Sequence, residues 1–387
     1  MKANVGSSTL PDARSAGAQA AQAASAGLDN LKLAFVYASV AYDLDAMLAG
    51  VRAELPGVPV VGNTSFTGVI TPAGFVTGED GFVGVLALAD PDAAVGVAGL
   101  PKGSSARQTG RDVARQAMRD AGHSDPPDFF YMAASPGEEE YYLKGITDVV
   151  GRIPMFGGTA ADNDITGKWS LYAGDQVFPD GVAVAFCYTD RPMSNLFTGA
   201  YRETDDVGII TKVTGDRTLV EIDGVPAVQK YAQWRGLDPA SLAGGNLLVA
   251  TITSPLGVKD RLGDLVAIRH PMNANPDGSM AIGANLAEKT AVIRMEASVD
   301  ELIASASQTL TALRDNLPSK PVVYHLVHCG GRRAGIGDRM GEVAQAVTAV
   351  AQGVPFLMEF TFGEYGFVDD GSNSTGGLML SYTAICE

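Results

Sequence analysis

Cysteine and histidine are scarce in this chain of 387 residues. It has three cysteines, Cys187, Cys329 and Cys386, and four histidines. No two cysteines are close in sequence, which excludes the C-x-x-C motif of zinc and redox sites and the C-x-x-C-H motif of haem attachment. Three scattered cysteines do not build a disulfide framework either, so the sequence favours a reducing, cytoplasmic location. Chemistry that depends on histidine must come from a short list: His123, His270, His325 and His328.

Positive charge is also in short supply. The chain has 28 Lys and Arg against 44 Asp and Glu, a net charge of −16 with neutral histidines. Affinity for nucleic acids and for anionic membrane surfaces depends on cationic side chains, so neither is an expected partner. No apolar run approaches the roughly 20 residues that a membrane span needs, and the first thirty residues lack the apolar core of a secretory signal. The composition predicts a globular protein of two or three domains.

The most informative pattern is a threefold internal repeat. Three apolar runs rich in β-branched and aromatic residues predict buried strands: LKLAFVYAS (31–39), PDFFYMAAS (127–135) and KPVVYHLVHC (320–329). Segments with helical periodicity follow them (43–55, 138–151 and 338–352), and helix-like segments precede them (9–26, expected on the surface, 104–121 and 299–315). After a short apolar segment and a loop rich in Gly and Asp, each unit ends in another strand-like run (81–90, 181–190 and 377–386).

This repeat predicts an α/β protein of α-β-α-β-β units that form mixed sheets. A strand–helix–strand crossover favours parallel neighbours, and we expect the last strand of each unit to return antiparallel. Residues 196–298 differ, with hairpin patterns and a short helix that ends at Gly236, and predict an antiparallel α+β insertion before the last unit. We therefore expect one domain over residues 1–195, with two units, and another over 196–387, with the insertion (196–298) and the third unit (299–387).

The candidate ligand-binding residues follow the predicted strands. Ligands of open α/β sheets bind beyond the carboxyl ends of the strands. The candidates are Asn63, Thr64, Thr159, Asp162, Arg269, His328, Cys329, Arg332, Gly363 and Glu364. Gly, Asn, Thr and Asp also form ordinary turns, so turn formation is the alternative role for this set.

The cluster His328-Cys329-Gly-Gly-Arg332 could serve a Cys-dependent hydrolase. Cys329 would be the nucleophile, His328 or His325 the base, and Glu364 the residue that orients the base. However, neighbours on a strand point to opposite faces, so His328 and Cys329 cannot easily pair. Since no complete set of acid, base and nucleophile is visible, the sequence predicts a binding protein and not an enzyme.

Six motifs in order give the chain a family resemblance. They are VVGNTSFTG, FGGTAADND, VEIDGVPAVQKYAQ, LVAIRHPM, HCGGRRAG and FTFGEYG. Together they resemble the FIST proteins, which join an N-terminal and a C-terminal FIST domain. The resemblance implies a cytoplasmic sensor that binds a small molecule or a gas and passes the signal to a partner such as a histidine kinase or a cyclase.

The resemblance also implies one specific cofactor alternative. One free-standing branch of the family senses nitric oxide through haem, so haem b is a candidate cofactor, with His328 as the first choice of iron ligand and His270 as the second. The other alternative is an organic ligand such as an amino acid, held by Arg332 and Asp162. The oligomeric state is open, with a homo-oligomer as one alternative.

Overall fold

Three repeated units and one insertion make up the chain. The computed structural model describes residues 1–242, 244–259, 266–367 and 373–387. The first unit contains β1 (Lys2–Ser8), α1 (Ala13–Ser25), β2 (Leu31–Ala38), α2 (Leu44–Glu54), β3 (Val60–Thr64), β4 (Val69–Thr71), β5 (Gly74–Val76) and β6 (Val83–Ala89). The second contains β7 (Ala94–Pro101), α3 (Ala106–Asp120), β8 (Phe129–Ala134), α4 (Glu139–Val150), β9 (Met155–Thr159), β10 (Leu171–Ala173), β11 (Gln176–Phe178) and β12 (Gly181–Tyr188).

The third unit is split by the insertion. It begins with β13 (Met193–Thr198), after which the chain enters the block that we call the insertion block, from Arg202 to Glu296. That block contains β14 (Arg202–Thr214), β15 (Thr218–Ile222), β16 (Val225–Pro226), α5 (Ala227–Arg235), a 3₁₀ turn (Pro239–Ser241), β17 (Leu256–Lys259), β18 (Val266–Arg269), β19 (Pro271–Ala274), β20 (Met280–Ile282) and β21 (Ala291–Glu296). The unit resumes with α6 (Val299–Asp315), β22 (Pro321–Cys329), α7 (Gly330–Ile336), a 3₁₀ turn (Gly337–Arg339), α8 (Met340–Ala351), β23 (Phe356–Thr361), β24 (Glu364–Phe367), β25 (Asn373–Gly376) and β26 (Leu380–Cys386).

The units exchange their hairpins in a cycle. The three repeat sheets have the strand orders β1-β6-β2-β3-β10-β11, β25-β24-β9-β8-β12-β7 and β13-β26-β22-β23-β4-β5. The hairpin β4–β5 of the first unit thus extends the sheet of the third, β10–β11 of the second extends that of the first, and β24–β25 of the third extends that of the second. Each repeat sheet therefore contains strands from two units.

The α/β repeat and the antiparallel insertion are confirmed. The crossover pairs β2–β3, β8–β9 and β22–β23 are parallel, and the last strands β6, β12 and β26 return antiparallel, as expected. The sheet of the insertion block is antiparallel, and Gly236 ends α5 in a left-handed conformation. The insertion, however, interrupts the third unit after β13 instead of preceding it.

Two expectations about single elements are wrong. The sequence patterns did not predict the first strand of every unit, β1, β7 and β13, and the three expected loops are hairpins. The N-terminal helix is a surface helix, as expected: one face is exposed, and six residues of the other face are buried against the first sheet and α2. Its alanines and Gly17 are small enough to permit that close packing.

The inner faces of the three repeat sheets share one core, and the helices cover the outer faces. At its centre, equivalent positions on β2, β8 and β22 bring together Phe35, Tyr131 and His325. The ring centroids lie 5.1 Å apart for Phe35 and Tyr131, and 5.0 Å apart for Phe35 and His325. These three side chains mark the axis that relates the units.

No helix among the described residues is long and apolar enough to cross a membrane.

Glycines set the distance between helices in the first two units. A Cβ atom on Gly110 of α3 would lie 2.2 Å from the carbonyl oxygen of Tyr142, and one on Gly145 of α4 would lie 2.0 Å from that of Arg107. The same reciprocal contact joins Gly17 to α2 in the first unit. Only glycine permits this separation, since backbone atoms occupy the space that a side chain would need.

Candidate functional site

A cavity of about 240 Å³ lies between the repeated units and the insertion block; we call it the interface cavity. The units contribute Phe66, Pro136, Glu139, Ile165, Gly167, Trp169, Cys329, Gly330, Gly331, Ala334, Phe362 and Gly377. The insertion block contributes Arg217, Leu248, Val249, Ile252, His270, Met272 and Gly283. The lining is mostly apolar, with few polar groups, which is typical of small-molecule sites.

Aromatic rings from all three units form one part of the lining. The ring centroid of Phe362 lies 5.8 Å from that of Phe66 and 6.3 Å from that of Trp169. The insertion block adds aliphatic side chains, among them Leu248 and Ile252. Such a lining favours a compact ligand with an aromatic or branched aliphatic body.

A buried ion-pair cluster supplies most of the polarity. Nη2 of Arg217, on the insertion block, lies 2.5 Å from Oε2 of Glu139 and 2.6 Å from Oε2 of Glu140, the first two residues of α4. Burial raises the pKa of Glu139 even though Arg217 opposes the shift. Burial acts the same way on Glu140, but Arg217 and the backbone N–H of Asn285 hold its pKa below the usual value. The cavity therefore offers a cation and a carboxylate side by side.

Cys329 lines the interface cavity as a protonated thiol. Its Sγ accepts hydrogen bonds from the backbone N–H groups of Gly331 and Leu378, at 3.3 and 3.2 Å. Burial raises the pKa of this thiol well above its usual value, and Glu364 adds to the shift. The pKa of Glu364 is itself raised, to about 8, by burial. A reactive cysteine needs a lowered pKa, so this environment does not favour a nucleophile.

The two histidines suggested for haem differ in position. His270 lines the interface cavity, but its Nε2–H donates to the carbonyl oxygen of Leu248 at 2.8 Å. His328 is fully buried against Phe360, its Nδ1–H donates to the carbonyl oxygen of Cys329, and it does not line the cavity. Burial lowers the pKa of His270 to about 4 and that of His328 to about 3, so both are neutral near pH 7. Neutral imidazole is the form that ligates iron, but His328 lies outside the cavity, and His270 would have to give up its hydrogen bond to Leu248 or ligate through Nδ1.

Two residues suggested for an amino-acid ligand have other partners. The carboxylate of Asp162 accepts hydrogen bonds from four successive backbone N–H groups, residues 165–168, and so holds the loop after β9. Arg332 is fully buried and donates to the carbonyl oxygens of Gly199 and Leu302 and to the hydroxyl of Ser305. Neither side chain lines the interface cavity.

The remaining candidates lie at the contacts between units. Thr159 donates to Oε1 of Glu139 at 3.2 Å, and its backbone N–H donates to the carbonyl oxygen of Gly363 at 2.7 Å. Thr64 accepts a hydrogen bond from the backbone N–H of Ser170 at 2.9 Å, where β10 of the second unit joins the first sheet. These residues support the wall of the cavity and the exchanged hairpins.

Asn63 belongs to a buried polar network on the central axis. Its Nδ2 donates to Oε2 of Glu359 at 2.9 Å, and its Oδ1 accepts from the hydroxyl of Tyr131 at 2.8 Å. His325 completes the network, with Nε2 hydrogen-bonded to the hydroxyl of Tyr37 and 3.8 Å from Oε1 of Glu359. Burial raises the pKa of Glu359 to about 8 and lowers that of His325 to about 3, so this centre is largely uncharged near neutral pH.

Of the ten ligand candidates, Cys329 lines the interface cavity, Arg269 lines a separate cleft, and the others lie in neither. Glu139 and Arg217 are 78 residues apart in the chain, and no sequence pattern predicted their contact. A run of three glutamates at the start of a helix gives no sign of a partner in a distant hairpin. In the part of the chain that the structure describes, no group of three or more His, Cys, Asp or Glu is placed to hold a metal ion.

Comparisons with known proteins agree with the family resemblance of the six sequence motifs. The model of the FIST N domain matches residues 32–225, and that of the FIST C domain matches residues 227–366. The two matches meet near residue 226, and our division at residues 195 and 196 stays a prediction. No curated protein sequence matches the chain significantly.

Two solved structures are similar over almost the whole chain. Cyanuric acid hydrolase from A. caulinodans is 11% identical, with 100% of this chain and 99% of that one covered and a TM-score of 0.35. Phosphoribosylformylglycinamidine synthase II from Thermotoga maritima is also 11% identical, with 99% and 72% covered and a TM-score of 0.23. At these scores neither likeness carries an argument about function.

Proposed function

Because the chain belongs to the FIST family of sensory domains, we propose that it senses a small organic molecule bound in the interface cavity. One observation carries the proposal: a mostly apolar cavity with a buried ion pair, lined by all three units and by the insertion block. A ligand there would contact every part of the fold at once. Its occupancy would therefore change the contacts between the insertion block and the units.

The lining defines the class of ligand. The ligand would have a compact apolar body against Phe66, Trp169 and Phe362, and one polar group that reaches Glu139 and Arg217. Because Arg217 is already paired with two carboxylates, a zwitterionic or hydrogen-bonding group suits the cluster better than a lone negative charge.

A thermal-shift experiment with an occluding variant tests the proposal. Indole-3-acetate, phenylethylamine, tryptophan and phenylalanine form the probe set, and at least one should raise the melting temperature in a saturable way. Ala334→Trp, at an exposed position of the cavity lining, should abolish that response. The matched control Ala349→Trp, at an exposed position of α8, should keep it. A flat response of the wild type, or an equal response of Ala334→Trp, would contradict the proposal.

Haem and hydrolase activity stay predictions with simple tests. Haem bound through either histidine should shift the Soret band of free haem on reconstitution, and His328→Ala or His270→Ala should remove that shift. An unshifted band with the wild type would exclude haem as the cofactor. Iodoacetamide should leave Cys329 of the native protein unmodified at neutral pH, because its thiol is buried and its pKa is raised. All three cysteines should react once the protein is denatured.

The kinase or cyclase partner, the cytoplasmic location and a homo-oligomer also remain predictions.

A further inference from the structure

A second cleft, of about 440 Å³, lies beside α4 on the far side of the ion-pair cluster; we call it the basic cleft. Helix α4, strand β25 and the insertion block form its walls. Its charged lining consists of four cationic side chains, Arg107, Lys144, Arg152 and Arg269, and two carboxylates, Glu140 and Asp148. Among the described residues, the lining has more cations than carboxylates, in a chain whose net charge is −16.

Both carboxylates of the basic cleft have cationic partners already. Asp148 accepts hydrogen bonds from Arg107 at 2.7 Å and from Arg111 at 2.8 Å. Glu140 accepts from Arg217 at 2.6 Å. Both carboxylates therefore take their hydrogen bonds from other arginines, and neither forms an ion pair with Arg269 or Lys144, although the charge of Glu140 acts to raise the pKa of Arg269.

Arg269 is a half-buried cation without a carboxylate within ion-pair distance among the described residues. Its guanidinium donates only to carbonyl oxygens, those of Asn285 at 3.0 Å, Ile268 at 3.2 Å and Thr375 at 3.3 Å. Burial lowers its pKa to about 10. A partly buried charge without an ion-pair partner is unfavourable, and an anion in the cleft would supply that partner.

Two more groups in the basic cleft could contact an anion. The Nζ of Lys144 lies 4.9 Å from the ring centroid of Tyr141, and no carboxylate in the described part of the chain pairs with it. Both polar side-chain atoms of Asn373 are shielded from solvent and lack a hydrogen-bond partner among those residues. The cleft thus combines an uncompensated guanidinium, an ammonium group and an unused amide.

We propose that the basic cleft is a second ligand site, which binds a small oxyanion, either a phosphate or a carboxylate group, through Arg269, Lys144 and the amide of Asn373. Nε and Nη1 of Arg269 already donate to carbonyl oxygens, so among the described contacts Nη2 is the donor left for an oxygen of either group. Lys144 adds a positive charge, and the Asn373 amide a further donor. This site does not depend on the identity of the ligand in the interface cavity.

Calorimetric titration of the full chain with inorganic phosphate and with citrate tests the site, with potassium chloride at equal ionic strength as the salt control. Thr147→Glu adds a carboxylate to the lining and should weaken binding at least about tenfold. Lys144→Gln should weaken it about three- to tenfold. The matched controls Thr147→Gln and Lys2→Gln, the latter at an exposed residue of β1, should bind within about twofold of the wild type.

The outcomes separate the alternatives. Tighter binding of phosphate identifies a phosphate site, and tighter binding of citrate a carboxylate site. If chloride reproduces the heat signal, or if Thr147→Glu and Lys144→Gln bind as tightly as their controls, the site does not exist. Ala334→Trp should bind the anion normally, so failure of the interface cavity proposal would leave this one standing.

Discussion

Single residues break the threefold repeat where the three units meet. The equivalent positions on β2, β8 and β22 hold Phe35, Tyr131 and His325, three different side chains. Glu359 and Asn63 close a polar network around them without access to water. Such a centre specifies how the units pack, because each polar group has few alternative partners.

The network predicts a pH dependence of stability that can be tested at Glu359. Its pKa of about 8 lies above the ordinary value of 4.5, so the folded state holds the proton more tightly than the unfolded state. This contribution to stability is complete below about pH 4.5 and is lost as the pH rises through about 8. Glu359→Gln mimics the protonated form, so its free energy of unfolding should fall less than that of the wild type from pH 5 to pH 8.5.

Urea unfolding at the two pH values measures the effect. We expect a difference of at least about 1 kcal/mol between wild type and Glu359→Gln, since one unit of pKa corresponds to about 1.4 kcal/mol. The control Glu54→Gln, at an exposed residue near the end of α2, should keep the dependence of the wild type. Equal dependence in Glu359→Gln would show that Glu359 is ionised in the folded protein.

At the scale of elements, local patterns predicted the central strands β2, β8 and β22 and the helices that flank them, but not β7, which is as long as β2. Strands β2, β8 and β22 are buried and rich in β-branched or aromatic residues, and the helices around them have clear periodicity. The hairpins were missed because their strands are three or four residues long and pair with another unit. Strand β1, KANVGSS, has a single strong strand former, Val5, and depends on its partner β6.

The candidate site was predictable only in part, because the partners of its side chains also come from distant parts of the chain. The sequence motifs made Cys329 and His270 candidate site residues, and both line the interface cavity. Asp162 and Arg332 were predicted in the same way, but their side chains form hydrogen bonds with backbone groups of the surrounding structure. The sequence shows which residues can bind a ligand, but it does not show whether the fold has already given them partners.

Helix packing gives a prediction of its own. Gly110→Ala would place a methyl group 2.2 Å from the carbonyl oxygen of Tyr142, so α3 and α4 would have to separate. We expect a loss of about 1–3 kcal/mol in the free energy of unfolding, despite the better helix propensity of alanine. Denaturant unfolding of the variant gives this value directly.

Gly341 provides the matched control in α8. A Cβ atom there would meet nothing within 4 Å, so Gly341→Ala should be neutral or stabilise the protein by up to about 1 kcal/mol. If Gly110→Ala were as stable as Gly341→Ala, the close contact between the helices would not exist in solution.

At the scale of the whole molecule, the exchanged hairpins tie the units together. Residues 1–192 contain two units, but without the third unit β4–β5 lose their partner β23, and β9 loses its partner β24. We expect this fragment to aggregate or to unfold without a cooperative transition, since open strand edges and the core face of the missing sheet become exposed. Size-exclusion chromatography and urea unfolding followed by circular dichroism measure both properties, with the full chain as the control. A monomeric fragment with a sharp transition would contradict this expectation.

The position of Arg217 has one further consequence. It borders the interface cavity, while its second partner, Glu140, borders the basic cleft. If the two proposed ligands are coupled through this guanidinium, the coupling is reciprocal: the factor by which the anion changes the affinity for the organic molecule equals the factor by which the organic molecule changes the affinity for the anion. A chain with this arrangement would respond to the joint presence of two metabolites and not to one concentration alone.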